Sequence, residues 1–193
     1  MATATNLAEN MSVNTSQAAF PDLHDLVHLF YDDVGELASF ANQLGGTLPG
    51  PFDALLDHNH HMTVTLESHH DSPVNVHVLQ VETKGGTYCR KILLRRQTDD
   101  AVVMFGIVRL HTQYLGPVVR EEIESQQIPL GRVLINHNVL RRVELGKLWQ
   151  VEPNNELQRH FQLDAPQVTF GRTAIIHCNE EPAIELVEIV APE

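Results

Sequence analysis

The sequence predicts an α+β fold: a single domain with one antiparallel sheet of about six strands and helices covering one face. Three observations carry this. Two-residue hydrophobic alternation recurs in blocks from Val74 to Val190, helical i, i+3, i+4 spacing appears before the first block and again between the third and fourth, and Gly- or Asp-containing turns separate neighbouring strands. At 193 residues and 42% hydrophobic composition, the chain can bury one substantial core and is cramped for two.

Residues 1–20, rich in Ala, Thr, Asn and Ser, read as a mobile tail, which leaves 21–193 as the domain. From Asp22, a candidate N-cap, the apolar residues Leu23, Leu26, Val27, Phe30, Val34 and Leu37 follow helical steps and predict one amphipathic helix. The segment Gln43 to Pro51 breaks it, and two short helices are expected over Phe52–Asp57 and Met62–Ser68. Val74, Val76 and Val78 then alternate with polar residues, Gly85-Gly86 turns the chain into a strand over 87–96, and Thr98-Asp99-Asp100 turns it again into 101–111. These three strands form a meander. A helical insert follows over 115–124 and 129–136, with Pro129 suited to a first helical position. Strands are expected over 139–151 and 167–178, and Asn179-Glu180-Glu181-Pro182 leads into a last strand over 183–190.

Charge and composition restrict the partners. A formal charge of −12, with 25 acidic against 13 basic residues, opposes attraction to nucleic acid and to anionic membrane surfaces. A small-molecule partner is expected instead, held by a few arginines in an enclosed pocket by a monomer or small homo-oligomer. Residues 1–19 contain no Lys or Arg and no sustained apolar segment, and no apolar run approaches the ~20 residues a membrane-spanning helix needs, so a cytoplasmic location is expected. The two cysteines, Cys89 and Cys178, fall inside predicted strands and read as buried free thiols.

Two charged residues stand on faces that should be apolar. Period two places Arg90 with Tyr88, Ile92 and Leu94, and Glu188 with Ile184, Leu186 and Val190. A desolvated guanidinium and a desolvated carboxylate are costly unless paired, hydrogen-bonded or liganded. The two residues are therefore either a structural ion pair or the two poles of a site.

The 12 histidines include a cluster at His58, His60, His61, His69 and His70. No Asp or Glu in sequence completes a known ligand spacing with them, so no metal site is expected and the cluster reads as exposed residues near helix ends. There is no Gly-rich phosphate loop and no nucleophile elbow, which leaves common cofactor and covalent-hydrolase chemistry unsupported. A reaction without cofactors is expected.

Four separated segments resemble the chorismate pyruvate-lyase family. They are His61-Met62-Thr63 with Leu66-Glu67, the strand Tyr88 to Leu94, the run Pro129-Leu130-Gly131-Arg132, and the closing hairpin from Phe170-Gly171-Arg172 through Pro182 to Glu188 and Pro192. The stretch from Leu148 to Leu163 departs from the compact proteobacterial enzymes and looks more like the broader subfamily of cyanobacteria, actinobacteria and archaea. The resemblance implies a chorismate lyase-like fold and a carbon-oxygen lyase that converts chorismate to 4-hydroxybenzoate and pyruvate without a cofactor.

Carried over by position, it implies that Arg90 grips the ring carboxylate and Glu188 faces the 4-hydroxyl, both as catalytic and substrate-binding residues. It implies further that Leu130 offers backbone polar groups beside Gly131, and that Met62 packs near the ring. Arg132 is expected to aid an anionic substrate, whereas Arg172 is expected to be structural or electrostatic and Arg109 an ordinary network residue.

The chemistry suits these residue types. A planar guanidinium fixes a carboxylate bidentately, and a carboxyl group on an apolar face serves as a general acid or base or accepts a hydrogen bond from the hydroxyl. Aromatisation makes the elimination strongly downhill, so the protein must orient the substrate, manage one proton and exclude water. The alternatives are a non-catalytic aromatic-acid sensor on the same fold, as in effector domains of certain bacterial transcription regulators, and a lyase acting on another chorismate-derived acid.

Overall fold

A computed structural model of the chain describes residues 20–193, so the tail expected over 1–20 lies, except for Phe20, outside the described residues. In chain order the elements are α1 (Leu23–Val27), β1 (Ala38–Gln43), α2 (Pro51–Leu56), α3 (Met62–His70), β2 (Val74–Lys84), β3 (Thr87–Arg96), β4 (Val102–His111), α4 (Pro117–Glu124), α5 (Leu130–Asn136), β5 (Arg141–Pro153), α6 (Asn155–Phe161), β6 (Thr169–Cys178) and β7 (Glu181–Val190). The strands form one sheet in the order β1-β5-β6-β7-β4-β3-β2, antiparallel throughout.

Turn chemistry sets the meander and the closing hairpin. Gly85 and Gly86 take φ of +59° and +83° between the paired residues Lys84 and Thr87, and Asn179 and Glu180 take +52° and +71° between Cys178 and Glu181. Both are two-residue turns with positive φ at each central position, whose twist matches that of the flanking strands.

The α+β class is as expected, with three differences in the elements. The helix expected over 22–37 is only α1, capped by Asp22 Oδ1, which accepts from His24 N at 2.8 Å. Asp33 and Glu36 then close a reciprocal capping box around a 3-10 turn at Val34–Glu36, and Leu37 and Ala38 are buried beyond it. Released from the helix, residues 38–43 become the seventh strand, β1, paired with the far half of β5. The helix α6 was not expected; the Asn154 side chain caps it, and Leu157 and Phe161, four residues apart, bury on one side. Pro129 is the N-cap of α5 and not its first helical residue, its carbonyl accepting from Arg132 N and Val133 N.

Strand alternation divides the core between the two faces of the sheet. One face carries Ile92, Leu94, Met104, Val108, Leu186 and Val190 under helices α2 to α5, which contribute Leu55, Leu56, Met62, Leu66, Ile123, Val133 and Leu134. The opposite face carries Leu93, Phe105, Ile107, Val187 and Ile189 against Leu23, Leu26 and Val27 of α1 and against Leu157 and Phe161 of α6. Helices thus cover both faces and not one alone. Each fully buried Leu or Phe contributes about 1.5–3 kcal/mol, which is why pieces as short as α1 and α6 hold their places.

Cys89 and Cys178 are both free and buried, and burial raises the pKa of each thiol, to about 11 for Cys178. No helix among the described residues is long and apolar enough to cross a membrane.

Candidate functional site

The site lies on the sheet face under α3 and α5. Register places Arg90 opposite Val108, which is opposite Leu186 and then Ala174, while the next row reads Ile92, Gly106, Glu188 and Arg172. All eight residues belong to one face. β4 separates the strand of Arg90 from that of Glu188, so the two Cα atoms are on the order of 10 Å apart.

Glu188 pairs with Arg172 and not with Arg90. Arg172 Nε donates to Glu188 Oε2 at 2.7 Å, and both side chains are buried. The remaining Arg172 nitrogens donate to the backbone: Nη1 to Leu56 O at 3.3 Å and His58 O at 2.8 Å, Nη2 to His60 O at 3.2 Å. This arginine stitches the α2–α3 loop to the sheet and neutralises Glu188, so the expectation of an isolated carboxyl on an apolar face gives way to that of a compensated carboxylate.

Arg90 has the opposite situation. It is fully buried, Nη1 donates to Ile123 O in α4 at 3.3 Å, and Nε and Nη2 find no partner among the described residues. The hydroxyl of Tyr88, two residues away on the same face, is also buried without a partner. Burial lowers the pKa of Arg90 and Tyr88 opposes this, but a guanidinium stays charged in any protein environment. Arg90 Nε and Nη2 thus lack an acceptor of good geometry, and a buried donor left so costs about 1–3 kcal/mol, more when it is charged.

Beside them lies a cavity of about 40 Å³, room for a few waters. Glu188, Arg172, Gly106, Ile92, Val108 and Leu186 form its floor and walls, and Met62, Leu130 and Gly131 its roof. The approach is close at Gly131, where a Cβ would come within 3.1 Å of Thr63 Oγ1 as α5 crosses the start of α3. Of the residues expected from sequence, Met62, Leu130, Gly131 and Glu188 line the cavity, and Arg90 stands beside it with Val108 opposite. Arg132 does not line it: its guanidinium pairs with Glu67 and ties α5 to α3 at a partly exposed position.

The histidine cluster is more than a solvated surface. His58 donates from Nε2 to Leu55 O at 2.8 Å, which leaves Nδ1 as an acceptor facing Arg172 at 3.2 Å. His61 Nε2 accepts from Arg141 Nε at 2.8 Å at the rim of the cavity. Burial, with the adjacent arginines, pushes both imidazole pKa values down to about 4. The role of Arg172 was accessible from sequence, since period two sets it with Phe170, Ala174 and Ile176 just as it sets Arg90 with Ile92. Arg141 and Tyr88 gave no comparable signal. Arg109 forms the expected network, pairing with Glu185 beside His111 on the opposite face.

No protein-family profile matches the sequence, and no curated protein matches it. Among solved structures, PhnF from Mycobacterium smegmatis is similar with a TM-score of 0.53 and 11% identity, over 68% of this chain and 64% of that one. The matched region thus spans less than two thirds of PhnF. The separate effector domain of the same PhnF is similar with a TM-score of 0.48 and 10% identity, over 68% of this chain and 88% of that one. A ligand-binding domain assigned to a GntR-family transcriptional regulator of Bordetella bronchiseptica is similar at 0.47 and 11%, over 61% and 85%. The fold is the chorismate lyase-like α+β fold, shared with PhnF.

Proposed function

We propose that this chain binds a small cyclic carboxylic acid between the sheet and helices α3 and α5. The observation that carries the reading is the open edge of Arg90. Nε and Nη2 are the two nitrogens that Arg96 presents to both oxygens of Asp99, at 3.1 and 2.8 Å, and Arg109 presents the same edge to Glu185. In Arg90 that edge is buried and without a partner, and a ligand carboxylate satisfies it bidentately. At the other end of the cavity Glu188, already neutralised by Arg172, accepts a hydrogen bond from a ring hydroxyl. Apolar walls from Met62, Ile92, Val108 and Leu186 suit the ring. Because the cavity admits only a few waters, binding of a ring-sized acid requires α3, α4 or α5 to shift.

On this reading the chain belongs with small-molecule-binding domains, and 4-hydroxybenzoate is the minimal ligand. A catalytic reading is favoured by one further observation: Met62, Leu130, Gly131 and Glu188 surround one cavity with Arg90 beside it, as the resemblance to chorismate pyruvate-lyases requires. In that reaction the ring loses its C4 hydrogen and the C3 enolpyruvyl ether, giving 4-hydroxybenzoate and pyruvate. The protein's part is to anchor the ring carboxylate on Arg90, hold the 4-hydroxyl on Glu188 and keep water out.

Calorimetric titration with 4-hydroxybenzoate, followed by incubation with chorismate and detection of pyruvate, tests both readings. Saturable binding with pyruvate release establishes the lyase, and binding without turnover establishes a sensor. Absence of binding by either acid refutes the carboxylate site.

A further inference from the structure

A second cluster of chemically competent side chains lies at the other end of α3, away from the cavity. His69 and His70 are the last two residues of that helix, and their rings meet edge to face with centroids 4.8 Å apart. Asp71 ends the helix in the left-handed conformation at φ +46°. The chain beyond β7 returns to the same place, with Ala191 N donating to Val103 O at 2.9 Å, and so brings Glu193 onto the histidine pair. His69 Nε2 and Glu193 Oε1 are 2.5 Å apart, and one ligand atom from each of His69, His70 and Glu193 lies within 4.8 Å of the others.

We propose that His69, His70 and Glu193 form a binding site for a divalent transition-metal ion, with Zn²⁺ as the representative. Two imidazoles and a carboxylate are a donor set suited to Zn²⁺ rather than to Mg²⁺ or Ca²⁺, which favour all-oxygen shells. Tetrahedral ligands at about 2.0–2.2 Å from zinc stand about 3.3 Å from one another. The present separations reach that value by movements of order 1 Å, which the partly exposed side chains of His69 and Glu193 can make.

The surroundings favour a cation. Arg96, the nearest guanidinium lining the adjoining cleft, is engaged by Asp99 through both Nε and Nη2, so its charge is compensated. Leu55, Leu66, Val103 and Val190 supply an apolar floor that lowers the local dielectric.

Three protein ligands leave a fourth position for water or an external donor. A metal here pins the segment after β7 to the C-terminal end of α3. That segment follows β7, which carries Glu188, and α3 begins at Met62, so occupancy would stiffen both supports of the cavity.

The test uses tag-free full-length protein stripped with chelator, titrated calorimetrically with Zn²⁺ and followed by the visible absorption of bound Co²⁺. The expected result is 1:1 binding, a four-coordinate cobalt spectrum and a rise in thermal midpoint with Zn²⁺. His69→Ala and Glu193→Gln should each weaken binding at least ~10-fold, whereas His60→Ala should leave it unchanged. No saturable binding by the wild type, binding undiminished in Glu193→Gln, or binding lost in a folded His60→Ala variant would each overturn the proposal. The readout involves no organic ligand, so its failure is separate from failure of the carboxylate site.

Discussion

Arg172 Nε donates to Glu188 Oε2 at 2.7 Å across the pairing of β6 with β7, and both residues are buried. With Glu188 already compensated, Arg90 is the buried charge on this face left without an anion among the described residues, and its open Nε–Nη2 edge is where the proposed ligand carboxylate would bind. The two arginines share a face in opposite situations: Arg172 completes the protein's own polar network, and Arg90 keeps two nitrogens without a partner among the described residues.

Replacing Arg90 by Met should therefore separate stability from binding. The empty protein should gain about 1–4 kcal/mol, because an apolar chain of similar volume replaces a desolvated and half-satisfied charge. Binding of 4-hydroxybenzoate, measured by calorimetry, should vanish. Arg90→Lys keeps the charge without the fork and should weaken binding by about 1–3 kcal/mol. A destabilised Arg90→Met protein would assign Arg90 to the fold alone.

Glu188→Gln removes the anion from the Arg172 pair but leaves the carbonyls of Leu56, His58 and His60 around the guanidinium. The loss should be about 3 kcal/mol in urea unfolding. Adding Arg172→Gln to the same protein should recover at least ~1 kcal/mol relative to additivity if the two residues act as a unit. Strict additivity would show that the pair contributes no coupling.

A small change tests the floor of the cavity. A Cβ on Gly106 would lie 3.2 Å from Met104 Cε, the end of a flexible side chain, and 3.3 Å from Ile92 Cγ1, both on residues that line the cavity. Gly106→Ala should fold normally and reduce affinity for 4-hydroxybenzoate by about 1–3 kcal/mol through overpacking. Wild-type affinity would place the ligand elsewhere.

His58 and His61 give the fold an acid-sensitive component. Their pKa values of about 4 in the folded protein lie below the ordinary 6.5, so the unfolded chain binds protons that the folded one excludes. Their contribution is fully present above about pH 6.5 and is lost as pH falls towards 4. It amounts to on the order of 1 kcal/mol per histidine after solvent screening at these partly exposed positions. Urea unfolding of wild type and His61→Gln at pH 7 and pH 4.5 should show a smaller acid loss in the variant, and parallel losses would rule out the His61 share.

Much of the fold was legible because its signals are local. Valine alternation, Gly85-Gly86 and Asn179-Glu180 specify strands and two-residue hairpins within a few residues, and these produced the meander and the last hairpin. The first 20 described residues misled because Leu23 to Leu37 keep a helical period, while the backbone at Asp33 is redirected by its own side chain and that of Glu36. Helix α6 escaped because a seven-residue piece with two apolar anchors carries little periodic signal.

The sequence by itself determined that Arg90 and Glu188 lie on buried faces, since strand alternation depends only on spacing along the chain. Which charge meets which was decided by strand order, because β4 stands between β3 and β7 while β6 lies directly against β7. In the same way Glu193 reaches His69 and His70, and Arg141 reaches His61, only through long-range packing. Burial is written into local periodicity; partnership across a sheet or between a helix end and a distant segment is a property of the assembled topology, and electrostatic pairing follows the latter.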